Sequence, residues 1–139
     1  MKKKIIVAGH ICVDITPAIQ GKKVSKIQEL LIPGKLIEVG NATVSTGGAV
    51  ANTGLAMKIL GANVSLMGKI GNDAFGEIVK NVLKKYDVEE ELPVSDTEAT
   101  SYTVVVAVPG IDRIFLHNPG ANNAFYTEDI SEEELKDAA

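Results

Sequence analysis

Asp14, the Gly47-Gly48 pair and Asn52 are the residues of this sequence whose types and spacing suit chemistry. Asp14 closes the apolar run Ile5 to Val13, which places it just past the end of a strand, where open α/β sheets bind their ligands. A carboxylate there can accept two hydrogen bonds from vicinal hydroxyls, as a sugar presents them. Gly47 and Gly48 open a helical stretch; residues without Cβ let the backbone approach a ligand, and a helix start adds amide donors. Asn52 projects from the first turn of that helix toward the same side. Together these residues describe a polyol site. Each also has a plainer reading: Asp14 as a cap or turn residue, the glycines as a tight loop, and Asn52 as an amide bonded to a neighbouring loop.

Other chemistries lack local support. The phosphate-loop patterns G-x-x-x-x-G-K-[ST] and G-x-G-x-x-G are absent, as are H-E-x-x-H and the G-x-S-x-G elbow. Lys and Arg total 14 against 18 Asp and Glu, a formal net charge of −4, which offers no basic footprint for nucleic acid or an anionic membrane. Cys12 is the single cysteine, so neither a disulfide framework nor a thiolate zinc site is available, and a reducing cytoplasm fits best. Lys2, Lys3 and Lys4 ahead of an apolar run imitate a signal peptide, but His10 and Asp14 interrupt the pattern. No apolar run approaches the roughly 20 residues of a membrane span.

The elements that must position these residues follow from patterning. A chain of 139 residues, 45% of them hydrophobic, suits one domain. Lys4 to Ala8 reads as a strand buried on both faces. Between Thr16 and Thr46, short apolar alternations at Leu30 and Ile32, at Leu36, Ile37 and Val39, and at Val44 predict a small β flap decorated by Lys22, Lys23, Lys26 and Lys35. A buried helix from Gly48 ends at Gly61, followed by a strand over Asn63 to Met67. Phe75, Ile78, Val79, Val82, Leu83 and Tyr86 form one apolar helical stripe behind an Asn72-Asp73 cap. Ser101 to Val108 and Arg113 to His117 predict a hairpin. A last helix starts near Ser131 with Glu134 completing a capping box; it breaks off after about two turns, so the C-terminus is expected to be a cut.

Val7-Ala8-Gly9 through Asp14, Gly47-Gly48-Ala49-Val50-Ala51-Asn52, Gly61, Gly71-Asn72-Asp73-Ala74-Phe75-Gly76 and Gly120-Ala121-Asn122 together resemble the ribokinase-like, or PfkB, carbohydrate kinases. The likeness covers nearly the whole chain, whereas such kinases as a class run to about twice its length. The resemblance therefore implies the N-terminal part of a three-layer α/β sheet, with small β lid segments at about 16–46 and 101–117 and the C-terminal ATP-binding half absent. It implies transfer of the ATP γ-phosphoryl to a sugar hydroxyl, with ATP and Mg2+ as cofactors. The family's proton-removing aspartate lies in a G-A-G-D motif that this sequence lacks, so the chain is expected to help hold a sugar without turning it over.

By the same resemblance, Asp14, Gly48 and Asn52 contact sugar hydroxyls and Gly47 shapes the loop. Thr103 and Val105, with His117 opposite, face the sugar, and Cys12 falls beside it. His117 also reads as a structural histidine and Cys12 as a small buried hydrophobe. Ribokinases usually carry Asn at the place of Cys12, and Lys and Gly at those of Ala49 and Val50, which turns the expectation away from ribose. The implied partners are a sugar and a second copy of the chain, joined through the lid. A reading of another class is a short non-catalytic module that binds a ligand or dimerises through its β flap.

Overall fold

A computed structural model describes residues 3–21, 24–88, 92–136 and 138 of the chain. Lys2 of the signal-like start and Lys22 and Lys23 of the expected flap lie outside those residues. In chain order the elements are β1 (Lys4–Ala8), β2 (Cys12–Pro17), β3 (Ala42–Gly47), α1 (Gly48–Ile59), β4 (Asn63–Met67), β5 (Ile70–Gly71), α2 (Ala74–Lys85), β6 (Val94–Ser95), β7 (Tyr102–Val106), β8 (Ile114–Asn118) and α3 (Glu132–Lys136). Single 3-10 turns occupy Ile27–Glu29, Gly120–Ala124 and Thr127–Asp129.

The helices begin and end where their caps dictate. At the end of α1, Gly61 adopts φ +81°, its N–H donates to Lys58 at 2.9 Å and the Ala62 N–H donates to Met57 at 3.0 Å, the paired bonds of a Schellman stop. At the start of α2, Asp73 accepts from the Gly76 N–H at 2.8 Å, as an N-cap should. Its other oxygen accepts from the Thr100 N–H at 2.8 Å, which ties the helix to the segment entering β7. The Thr100 hydroxyl in turn accepts from the Gly71 N–H at 2.8 Å. The glycine-flanked motif 71–76 is thus a structural lock, closed too tightly for a Cβ at Gly71, which would sit 2.5 Å from Thr100 N.

The strands form three sheets. β1 and β4 pair in parallel from Lys4–Asn63 to Ala8–Met67, and β5 pairs in parallel with β6. The third sheet has the order β3-β2-β7-β8; β2 runs antiparallel to β3 and parallel to β7, and β7 runs antiparallel to β8. α1 packs on β1, β3 and β4 and α2 on β2, β3 and β5. Between them lies the core, with Ile11, Val13, Val50, Ile70 and Val79 fully buried.

Two expectations about the strands need correction. β1 is half-buried from Lys4 to Val7 and exposed at Ala8, not enclosed on both faces. α1 packs against it, but the described residues do not supply a second covering layer; a run of β-branched residues fits a strand for burial without providing the cover. The flap between Thr16 and Thr46 is not strand throughout. Its ends form β2 and β3, whereas residues 18–41 hold only the 3-10 turn among the described residues, and Leu36 is 96% exposed. Alternations of two or three residues broken by Pro33, Gly34 and Gly40 are too short to pair as strands.

The predicted capping box at α3 forms on one side only. The Glu134 N–H donates to Ser131 Oγ at 3.3 Å, but the Glu134 carboxylate is drawn to the sheet, where it accepts from the buried Ser65 hydroxyl at 3.2 Å and meets Lys4 Nζ at 3.3 Å. Satisfying a fully buried hydroxyl outweighs closing an exposed box.

Candidate functional site

Asp14 lies within β2 itself, a strand that leaves the β1 sheet through Gly9, His10 and Ile11. Asn122 holds this junction: its amide accepts from the Ile11 N–H at 3.0 Å and donates to the Ile11 carbonyl at 3.0 Å. The Gly120-Ala121-Asn122 motif therefore acts through the backbone of the junction. Ala121, with no exposure, seats the turn beneath it.

The register then assembles a row. Asp14 stands level with Ser45 of β3 and Thr103 of β7, and Thr103 stands level with His117 of β8. Residues level across a sheet share a face, so Ser45, Asp14, Thr103 and His117 line one stripe. Side chains link along it. The Cys12 thiol donates to Asp14 Oδ1 at 3.3 Å and lies 4.0 Å from Thr103 Oγ1, which is 3.0 Å from His117 Nδ1. Val105 is buried two residues beyond Thr103, opposite Phe115.

The glycines are required by contact. Gly47 is level with Cys12, and a Cβ there would fall 2.9 Å from Asp14 Oδ1 and nearer still to Oδ2, displacing the carboxylate. Gly48 adopts φ +84°, and a Cβ would lie 2.7 Å from His10 Nδ1. The Val50 N–H donates to the His10 carbonyl at 3.1 Å, which fixes the start of α1 against the junction. Asn52 is placed differently. It is exposed and lines a groove of about 450 Å³ with Val44, Ser45, Thr46, Lys85 and Tyr86. No hydrogen bond joins it to Asp14 among the described residues. Ser45 is the residue common to groove and row.

Electrostatics sort the titratable groups. Burial first, then the Asp14 charge and the hydrogen bond to it, push the Cys12 thiol up to about 12, so it stands as a neutral donor. Burial and then His117 hold His10 below its ordinary value, against an upward pull from Asp14. Among the described residues, no three His, Cys, Asp or Glu side chains gather where they could hold a metal ion. The glycine turns beside Asp14 also present no Lys or Arg to a polyphosphate. These residues do not form a site for Mg2+ or ATP.

His10 was not legible as a site residue. It sits inside an apolar run, and its ring reaches the row only because β8 folds back beside the junction, with the His10 and His117 ring centroids 5.4 Å apart.

Comparison with known proteins decides the family. The model of the pfkB family of carbohydrate kinases matches residues 2–139. The chain belongs to that family. Among curated members, it is 28% identical over 137 residues to the probable fructokinase-5 of Arabidopsis thaliana, covering 96% of this chain and 39% of that protein. Among solved structures, the fructokinase of Xylella fastidiosa superimposes with a TM-score of 0.78 at 23% identity, covering 99% of this chain and 39% of that one. The Arabidopsis thaliana ribokinase complexed with ribose and ATP gives 0.75 at 22% identity, covering 98% and 42%. The chain thus spans about two fifths of the length of its relatives. The α/β architecture expected from the resemblance is that of the N-terminal portion of these kinases.

Proposed function

We propose that this chain supplies the sugar-binding part of an ATP-dependent sugar kinase acting in the cytoplasm, and that the chain alone binds the sugar without phosphorylating it. The observation that carries this reading is the row Ser45, Asp14, Thr103 and His117, beside Gly47, which keeps a side chain off the carboxylate, and Gly48, which keeps one off His10. Asp14 keeps lone pairs free beyond the bond from Cys12 and can accept from two adjacent hydroxyls. Thr103 and His117 meet a third hydroxyl, Val105 closes the apolar side, and Gly47 and Gly48 admit the ring close to the backbone. Asn52 serves an acceptor long enough to pass Ser45 into the groove. The names of the curated relatives make D-fructose the first acceptor to test. In the whole kinase, positioning of the hydroxyl for in-line transfer is this part's contribution.

The four-stranded sheet serves as lid and as dimer contact. On the face opposite Asp14, Val44, Ile15, Val104 and Leu116 are level with one another; Ile15 packs against the core, while Val44 and Leu116, 49% and 57% exposed, offer apolar surface to a second copy.

Calorimetric titration of the chain with D-fructose tests the sugar reading, repeated with D-ribose and D-glucose. The expected result is saturable binding weakened at least about tenfold by Asp14→Asn with an unchanged melting temperature. Equal binding by Asp14→Asn overturns the assignment.

A further inference from the structure

His10 stands in the junction between β1 and β2 and His117 in β8, yet their rings meet edge to face at an interplanar angle of 65°. Each is tied to a hydroxyl next to or within β7. His10 Nε2 lies 3.4 Å from Ser101 Oγ, whose own proton is committed to the Asn118 carbonyl at 2.8 Å. Ser101 is thereby left as an acceptor toward His10, a role that a proton on His10 Nε2 would fill. His117 Nδ1 faces Thr103 Oγ1 at 3.0 Å, and here both senses are open. Without a proton on Nδ1, His117 accepts the Thr103 O–H and leaves the threonine lone pairs for a ligand. With a proton there, His117 donates and frees the threonine O–H.

We propose that His10 and His117 are positioning residues that act as one pair through their ring contact, and that the side of the Thr103–His117 bond on which the proton sits sets whether Thr103 acts as donor or acceptor at the Asp14 row. Charge on one ring disfavours charge on the other at this separation. The groups packed around the pair leave that coupling intact. β2 contributes the carboxylate of Asp14 and the neutral thiol of Cys12, and β7 with its entry contributes the uncharged Thr103 and Ser101. α1 contributes Gly48, which has no side chain, and the turn after β8 contributes the amide of Asn122. Arg113, at the far end of the hairpin, is engaged over the Phe115 ring at 5.6 Å. The lowering of His10 by burial and by His117 agrees with this arrangement. The effect on a sugar rests on the reading in the preceding section; the pairing of the rings does not.

The test joins histidine side-chain NMR of the intact chain across about pH 5 to pH 8 with D-fructose affinity measured over the same range. His117→Asn is expected to move the His10 midpoint upward. Fructose affinity is expected to change up to about tenfold across that range in the wild-type chain and to lose this dependence in His117→Asn and in Thr103→Val. A His10 midpoint that His117→Asn leaves in place overturns the pairing. A fructose profile that survives Thr103→Val overturns the control of Thr103 while leaving the sugar site standing. If the His10 midpoint moves but fructose fails to bind at every pH, the pairing is supported and the sugar reading falls.

Discussion

Cys12 shows how far a neighbour can change what a residue does. Buried to 2% exposure and donating to a carboxylate, its thiol is pushed up to about 12, so at neutral pH it is a hydrogen-bond donor and a poor nucleophile. Iodoacetamide at about pH 8 should alkylate the native chain about a hundredfold or more slowly than the urea-unfolded chain; equal rates contradict the bond to Asp14. The linkage has a definite sign. The folded pKa lies above the unfolded value of about 8.5, so this contribution to stability is complete below the unfolded value and fades as pH rises toward about 12. Cys12→Ala removes that alkaline loss, as urea denaturation on either side of the window would show. At this scale, the two glycines were legible because a helix start announces itself locally, whereas Asp14 was expected just past a strand end and lies inside β2, because the apolar run is broken at Gly9 into two strands. His10 was not legible, since its partners Ser101 and His117 are distant in sequence and only the fold brings them near.

Among the elements, α2 and its cap carry the clearest link between sequence and stability. Burial opposes the charge on Asp73, yet the Thr100 hydroxyl and the N–H groups of Gly76, Thr100 and Phe75 outweigh it and hold its pKa below the ordinary carboxylate value. Asp73→Ala removes the helix cap and the tether to Thr100 together, and is expected to cost about 2 kcal/mol in urea denaturation near neutral pH. Because the folded pKa is depressed, the charge contribution is present above the unfolded value of about 3.9 and is lost as pH falls through the folded one. The variant should therefore show a shallower acid dependence. Helices were readable because caps, apolar stripe and terminal glycine are local signals that agree. Strands were harder. β2 and β3 take their partners from distant parts of the chain, and apolar alternation in residues 18–41 did not reveal that the described residues there form no strand.

For the molecule as a whole, the four-stranded sheet is the feature with the widest reach, because one face carries the polar row and the other an apolar stripe. If that stripe is the dimer contact, sedimentation velocity will show a dimer that Leu116→Lys converts to monomer without loss of secondary structure. A wild-type chain that sediments as a monomer at every concentration argues against it. The family resemblance in the sequence foretold the architecture but could not give the partition of strands into three sheets, since short strands carry no local mark of the sheet they join.

The amide of Asn122 clasps both the N–H and the carbonyl of Ile11, a task that demands one donor and one acceptor on the same side chain. Spontaneous deamidation would convert that amide to a second carboxylate, setting oxygen against oxygen at the bend between the two sheets. A deamidated chain would therefore loosen first at the bend from which β2 carries Asp14 into the four-stranded sheet.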